Sequence, residues 1–274
     1  MKKEKGLINK IKHLLRKGNA PRYLHHFGPK IYELWHHVFA LMFKENCQLS
    51  YRRTKEILEG LNFCVASKST LQRYAAKLKL PFWQKLLNLT IKGHIVVGSI
   101  DGTGMERTNT SWHYIKRING NVNKRHYKLS IFSSKNKILS LRIRAKPSHD
   151  CTDVKYLLKN ASKLPKIISM DKGYDAEWIH KLCRYEYGME SIIPTRARAK
   201  TGFFRRKMQK DFPQKRYNKR SRVESVFHAL KQKFGASVSS KNIAPARTQM
   251  YCRVILHNIT FFMLKVLGQS RISL

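Results

Sequence analysis

The sequence predicts an α/β fold behind an all-α N-terminal region, on three observations. Up to about Thr90, apolar residues recur at helical spacing between capping and stop signals. From Ile91 the pattern becomes short apolar runs and turns in the order βββαβα, then one more strand and helix. Two of those runs end in Asp, at Asp101 and Asp171.

In the helical part, Ile31 to Phe43 is apolar and aromatic at helical spacing. Ser50 to Leu61 follows, with Ser50 suited to an N-cap and Gly60 to a stop. Ser67-Lys68-Ser69 then opens a segment running to Leu78. Two short helices across a Gly-containing turn fit a helix-turn-helix. Its second helix would offer Lys68, Ser69, Gln72, Arg73 and Lys77 to a groove of DNA, held by Leu71, Tyr74 and Leu78. A plain α-hairpin fits the same pattern. Pro81 is expected to end the segment, because the residue before a proline is biased away from helix. The division that results is a helical DNA-binding region, 1–90, and a catalytic domain, 91–274.

In the second part, His94 to Asp101 reads as a strand and Gly102 to Arg125 as a polar segment. Tyr127 to Ser133 and Ile138 to Ala145 read as two strands joined by a turn over Ser134 to Lys137. Asp150 to Leu164 has helical character, and Lys166 to Asp171 is a strand. Asp175 is placed to cap a helix to about Tyr187, and Glu190 to Pro194 makes a short strand. A basic stretch from Thr195 to Arg216 leads into YNKRSRVESVFHALK, Tyr217 to Lys231. On a helix, Tyr217, Arg220, Glu224 and Lys231 fall within one sector of about 60°. Val223, Val226, Phe227, Leu230 and Phe234 form a separate apolar face. A lone carboxylate among cations suits a metal ion working beside a phosphate backbone. A solvated helix with an ordinary Glu–Lys pattern gives the same composition.

That spacing resembles the Y-x2-R-x3-E-x6-K signature of insertion-sequence transposases with a DDE catalytic domain, and all four positions match. The two Asp motifs, HIVVGSIDGTGM and KIISMDKGYDAE, are similar to that family's other two acidic motifs. The likeness runs from about Ile91 to Phe234, with a tail to Leu274. It implies a ribonuclease H-like mixed sheet flanked by helices. It implies Asp101, Asp171 and Glu224 as the catalytic metal-binding carboxylates for Mg²⁺ or Mn²⁺, two ions in all, with Asp101 bridging both. It also implies Arg220 and Lys231 as phosphate contacts near the element end, with Tyr217 helping to hold that end.

The formal net charge of +40 on 274 residues points independently to a polyanionic partner, and affinity should depend strongly on salt. With only sixteen acids in the chain, an acid at a strand end asks for a reason. Glu106, Asp150, Asp153 and Glu177 read as surface or cap residues. Trp112 and Tyr114 read as core rather than as base-stacking platforms. Five Cys lack a C-x-x-C pair or zinc-like His spacing, which predicts buried free thiols in a reducing compartment. The twelve His are expected mostly on surfaces or near DNA. The basic, amphipathic N-terminus lacks a long apolar core, and Val254 to Leu267 is too short and polar to span a bilayer. A cytoplasmic, nucleoid-associated protein without membrane attachment is the expectation.

The function implied is transposition: binding of terminal inverted repeats, metal-dependent cleavage at the element ends, and joining to target DNA, by a homodimer on double-stranded DNA. A nuclease on the same fold that cuts without joining is the alternative. A DNA-binding repressor without catalysis is a third, which an intact acidic trio argues against.

Overall fold

In a computed structural model the chain is described over residues 2–25, 27, 30–107, 126–146, 148–197, 199 and 201–269, with side chains from Gly6 to Thr260. Five helices come first: α1 (Lys2–Lys17), α2 (Leu34–Asn46), α3 (Tyr51–Gly60), α4 (Lys68–Lys77) and α5 (Leu80–Leu89). Ser50 and Ser67 cap α3 and α4, accepting the N–H of Arg53 and of Thr70. α4 ends at its C-cap Leu78, ahead of Pro81, and Pro81 also opens α5, where its missing N–H costs nothing.

Then follow β1 (Val97–Arg107), β2 (His126–Ser134), β3 (Lys137–Arg144), α6 (Cys151–Asn160), β4 (Ile167–Met170), α7 (Glu177–Lys181) and β5 (Glu190–Ile192). The chain finishes with α8 (Phe203–Lys210), the single turn α9 (Gln214–Tyr217), α10 (Ser221–Phe234), β6 (Ser237–Val238) and α11 (Ile243–Gln269). The sheet order is β3-β2-β1-β4-β5, with β6 beside the far end of β1. β1, β2 and β3 are antiparallel, whereas β4, β5 and β6 run parallel to their neighbours. β1 does not stop at Asp101. Its polar continuation stays in the sheet because β2 pairs with it through Glu106. Trp112 and Tyr114 lie outside the described residues.

Strand alternation divides the core. Ile100, Phe132, Ile168 and Met170 pack with Val154 and Leu157 of α6 and Ile179 of α7. Met105, Leu129 and Ile131 face the other way, onto α10 and α11. That second cluster also holds Leu34, Val38, Leu71, Trp83 and Leu87, so the N-terminal helices share one apolar core with the sheet. Buried hydrogen bonds reinforce the junction: Trp83 Nε1 donates to Thr248, which donates to the Ala75 carbonyl. His37, buried and stacked 3.7 Å from the Tyr74 ring, ties α2 to α4; burial lowers its pKa to about 4. His180 and His257 are buried as well, so these three His are packing residues and do not lie at the surface.

The outer strand β3 is covered by side chains. Asn258 of α11 accepts the N–H of Ile138 and donates to its carbonyl. Gln84 and Tyr251 donate to the carbonyls of Leu139 and Leu141. Asp153 on α6 is fully buried, contrary to its reading as a surface or cap residue. It accepts bonds from Ser130 and Arg144 and pairs with Arg142 at 3.2 Å. Asp175 is no helix cap either; Arg205 clamps both its oxygens at 2.8 Å.

Asp153→Asn leaves two guanidinium groups against a neutral amide under α6. The expected loss is about 3 kcal/mol of stability, read by urea unfolding. A midpoint equal to wild type would refute the idea that this pairing holds α6 on the sheet.

Candidate active site

The parallel register of β1 and β4 sets the two aspartates. Ile100 lies opposite Met170, so the next residues, Asp101 and Asp171, stand side by side where β4 ends. Asp101 Oδ1 accepts the Gly102 N–H at 2.8 Å. Asp171 Oδ1 accepts the Lys172 N–H at 2.6 Å and caps the 3₁₀ turn Lys172–Tyr174. Asp101-Gly102 is therefore strand and not turn. A Cβ on Gly102 would stand 3.3 Å from Asp150 Oδ1, so glycine here permits a close approach. Asp150 is in turn paired with Lys128 at 2.7 Å.

Glu224 arrives on the first turn of α10. The helical stripe read from the sequence is interrupted: Asn218–Arg220 is a 3₁₀ turn, with Tyr217 ending α9 and Glu224 inside α10. That tightening turns Arg220 toward the sheet. Its Nη1 donates to Asp101 Oδ2 at 3.2 Å and its Nη2 to Glu224 Oε1 at 2.5 Å. One guanidinium thus joins the first and third predicted acids. Burial pushes the Asp101 carboxyl up from its ordinary pKa; the Gly102 N–H and Arg220 pull it down, while Asp171 and Glu224 push it up again. Asp101 therefore feels both of the other acids. Among the described residues no three His, Cys, Asp or Glu groups are yet drawn tightly around a single point. A guanidinium is held between two of them. A set of carboxylate oxygens around a cation is the donor chemistry a hard divalent ion takes.

The rest of the signature is close by. Lys231 Nζ donates to Thr103 Oγ1 at 2.9 Å. Thr103 was not singled out in the sequence, although its place two residues after Asp101 puts both on one face of β1. The Tyr217 ring meets Phe212 edge-on at 5.1 Å, and the Arg220 guanidinium lies 5.9 Å from its centre. Lys68, Gln72 and Arg73 are brought together elsewhere, on exposed turns of α4. Arg73 donates to Thr70.

A carboxyl whose folded pKa is raised holds its proton more tightly in the folded state. Asp101 thus contributes stability below its unfolded pKa that is lost as pH rises through its folded pKa. At neutral pH its charge opposes folding, and Asp101→Asn should raise Tm, with the gain fading toward pH 3. A lower Tm at pH 7 would show that the Arg220 pair outweighs burial.

Three comparisons bear on this arrangement. The family model described as Transposase DDE domain matches residues 92–259. A search of curated proteins finds no match. Among solved structures, the cryo-EM structure of the piggyBac transposase synaptic complex with hairpin DNA matches at a TM-score of 0.50 and 11% identity, covering 92% of this chain and 70% of that one. At that identity the likeness is one of fold, the ribonuclease H-like mixed sheet flanked by helices. Divalent-metal dependence goes with the family. With its family model spanning most of the chain from before β1 into α11, this protein belongs to the DDE transposases.

Proposed function

We propose that this transposase serves an insertion sequence: it binds terminal inverted repeats, cuts at the element ends to give a 3′-hydroxyl, and joins that end to target DNA. The observation that supports the reading is that Asp101 and Asp171 each follow a paired residue of β1 and β4, while Arg220 bridges Asp101 to Glu224. These residues would hold Mg²⁺ or Mn²⁺, as two ions. Such ions, when bound, activate the attacking oxygen and stabilise the leaving one. The protein supplies rigid placement: neighbouring strands fix Asp101 and Asp171, and a packed helix carries Glu224. The apolar side of α10 is buried through Val223, Val226, Phe227 and Leu230, which fixes the helix from which the exposed Glu224 side chain projects.

Arg220 and Lys231 are read as phosphate contacts, and Tyr217 as an aromatic support for the end. Arg220 is placed to pass its charge from the carboxylates to a DNA phosphate. Residues 1–90 are read as the DNA-binding unit, with Lys68, Gln72 and Arg73 of α4 addressing the repeat, and 91–274 as the catalytic unit. The partners are double-stranded element ends and target DNA, held by a homodimer, and the protein is nucleoid-associated. No helix among the described residues is long and apolar enough to cross a membrane.

Asp101→Asn, Asp171→Asn and Glu224→Gln should each reduce Mg²⁺-dependent cleavage of an end-bearing duplex by at least about 10³-fold, while duplex binding stays within a few-fold of wild type. Any one variant that cleaves at a near-wild-type rate removes its residue from the site. Cleavage with no joined product in wild type would favour the stand-alone nuclease.

Lys231→Ala should weaken joining of a pre-cut end and lower the salt dependence of binding by about one counterion. If Lys231 serves only to brace Thr103, joining and salt slope stay as in wild type. The readout is strand transfer on the pre-cut end, with affinity measured at two salt concentrations.

A further inference from the structure

Asp150 stands at the N-cap position of α6, yet its side chain makes no cap bond. It reaches instead toward the backbone that follows the two strand-end acids. Oδ1 is 3.3 Å from where a Cβ on Gly102 would lie, and Oδ2 is 3.5 Å from the same point on Gly173. These glycines belong to Asp101-Gly102 and Asp171-Lys172-Gly173. A side chain at Gly102 would crowd Asp150, and one at Gly173 would touch it. Both acidic motifs thus leave room for a further carboxylate. The turn that carries Gly173 is tied to α6 as well, since Cys151 Sγ donates to the Gly173 carbonyl at 3.4 Å.

Asp150 is only partly committed to holding the fold. Lys128 pairs with Oδ1 at 2.7 Å, and the side chain is 44% exposed. Asp153, one turn further along α6, is the contrast: it is fully buried and taken up by Ser130, Arg142 and Arg144. A second observation comes from Tyr174, the residue after Gly173. Tyr174 is buried, and its hydroxyl has no hydrogen-bond partner. Burial, and after it the charges of Asp150 and Asp101, push its pKa up, so it stays a donor beside those two acids. A buried hydroxyl left unpaired is costly, and a water held by an ion is one partner that would satisfy it.

We propose that Asp150 is a fourth carboxylate ligand of the divalent-cation site, with Tyr174 steadying a water of the bound ion. A hard divalent ion takes carboxylate oxygens, and Asp150 offers one beside the strand ends that carry Asp101 and Asp171. The proposal rests on the reading of Asp101, Asp171 and Glu224 as metal ligands. It adds to them an acid from α6, which packs on the opposite face of the sheet from α10. Lys128 is the counter-cation of Asp150, as Arg220 is of Asp101 and Glu224.

The test reads ion binding itself, in the full chain without DNA, by electron paramagnetic resonance of Mn²⁺. Asp150→Asn should weaken Mn²⁺ binding by about tenfold or more, with Asp101→Asn as the reference for a ligand of the trio. Lys128→Met removes the pairing and keeps the acid, so it should bind Mn²⁺ at least as tightly as wild type. If Asp150 served only to anchor Lys128, the two variants would bind Mn²⁺ alike, and that result overturns the proposal. Asp150→Cys exchanges an oxygen ligand for a soft sulfur. It should hold Cd²⁺ about tenfold or more tighter than Asp150→Asn, which keeps the natural thiols. Equal Cd²⁺ affinity overturns the direct contact, and the cysteine variant reads that contact even where the amide variant folds poorly. If Asp150→Asn binds Mn²⁺ as wild type does while Asp101→Asn is impaired, the fourth ligand falls and the trio stands. A wild type that takes up no Mn²⁺ overturns both.

Discussion

The architecture turns on the Arg220 bridge between β1 and α10. Burial is the main opposition to charge on Asp101, and Asp171 and Glu224 add to it. Arg220 offsets this, with one nitrogen on Asp101 and another on Glu224. Much of the surrounding structure serves that placement. The 3₁₀ turn over Asn218–Arg220 re-aims the guanidinium, and the buried side of α10 fixes the helix it leads into. A pairing of this sort in a partly exposed cleft is strong enough to keep the acids together and weak enough to be exchanged for other charges.

The second constraint is that the N-terminal helices do not stand apart. Trp83, Thr248 and Ala75 form a buried chain of hydrogen bonds, and Tyr251 of α11 donates to Gln84 of α5. Leu71 and Trp83 belong to the same apolar cluster as Val226 and Met250. α4, α5, α10 and α11 thus pack into one apolar core.

Asp101, Asp171 and Glu224 stand out in the sequence because they sit on regular patterns. Two are reached at the end of an apolar run, and the third lies on a stripe of a helix with a clear apolar side. What local pattern could not show is which polar residues are brought inside. Asp153 is buried because Arg142 and Arg144 on β3 and Ser130 on β2 pass beneath α6, a contact between segments with no common periodicity. Asp175 was given to a cap because the residues that claim it, Arg196 and Arg205, come from beyond β5. β1 was cut short because Thr103, Gly104 and Glu106 look like loop; strand pairing on both sides makes them strand. Pro81 reads as a stop for α4, and what the pattern does not show is that it also opens α5, since a proline reads alike just before and just after a helix boundary. The sharing of Glu45 was invisible for the same reason as Asp153. Lys44 and Arg253 are far apart in sequence, and only the fold shows that one carboxylate serves both.

The covering of β3 has an architectural consequence. An outer strand with free N–H and C=O groups invites another chain to add to the sheet. Here Asn258 occupies both groups of Ile138, and Gln84 and Tyr251 occupy carbonyls further along the same strand. Sealing this edge with side chains of the protein's own helices closes one route to sheet-to-sheet aggregation.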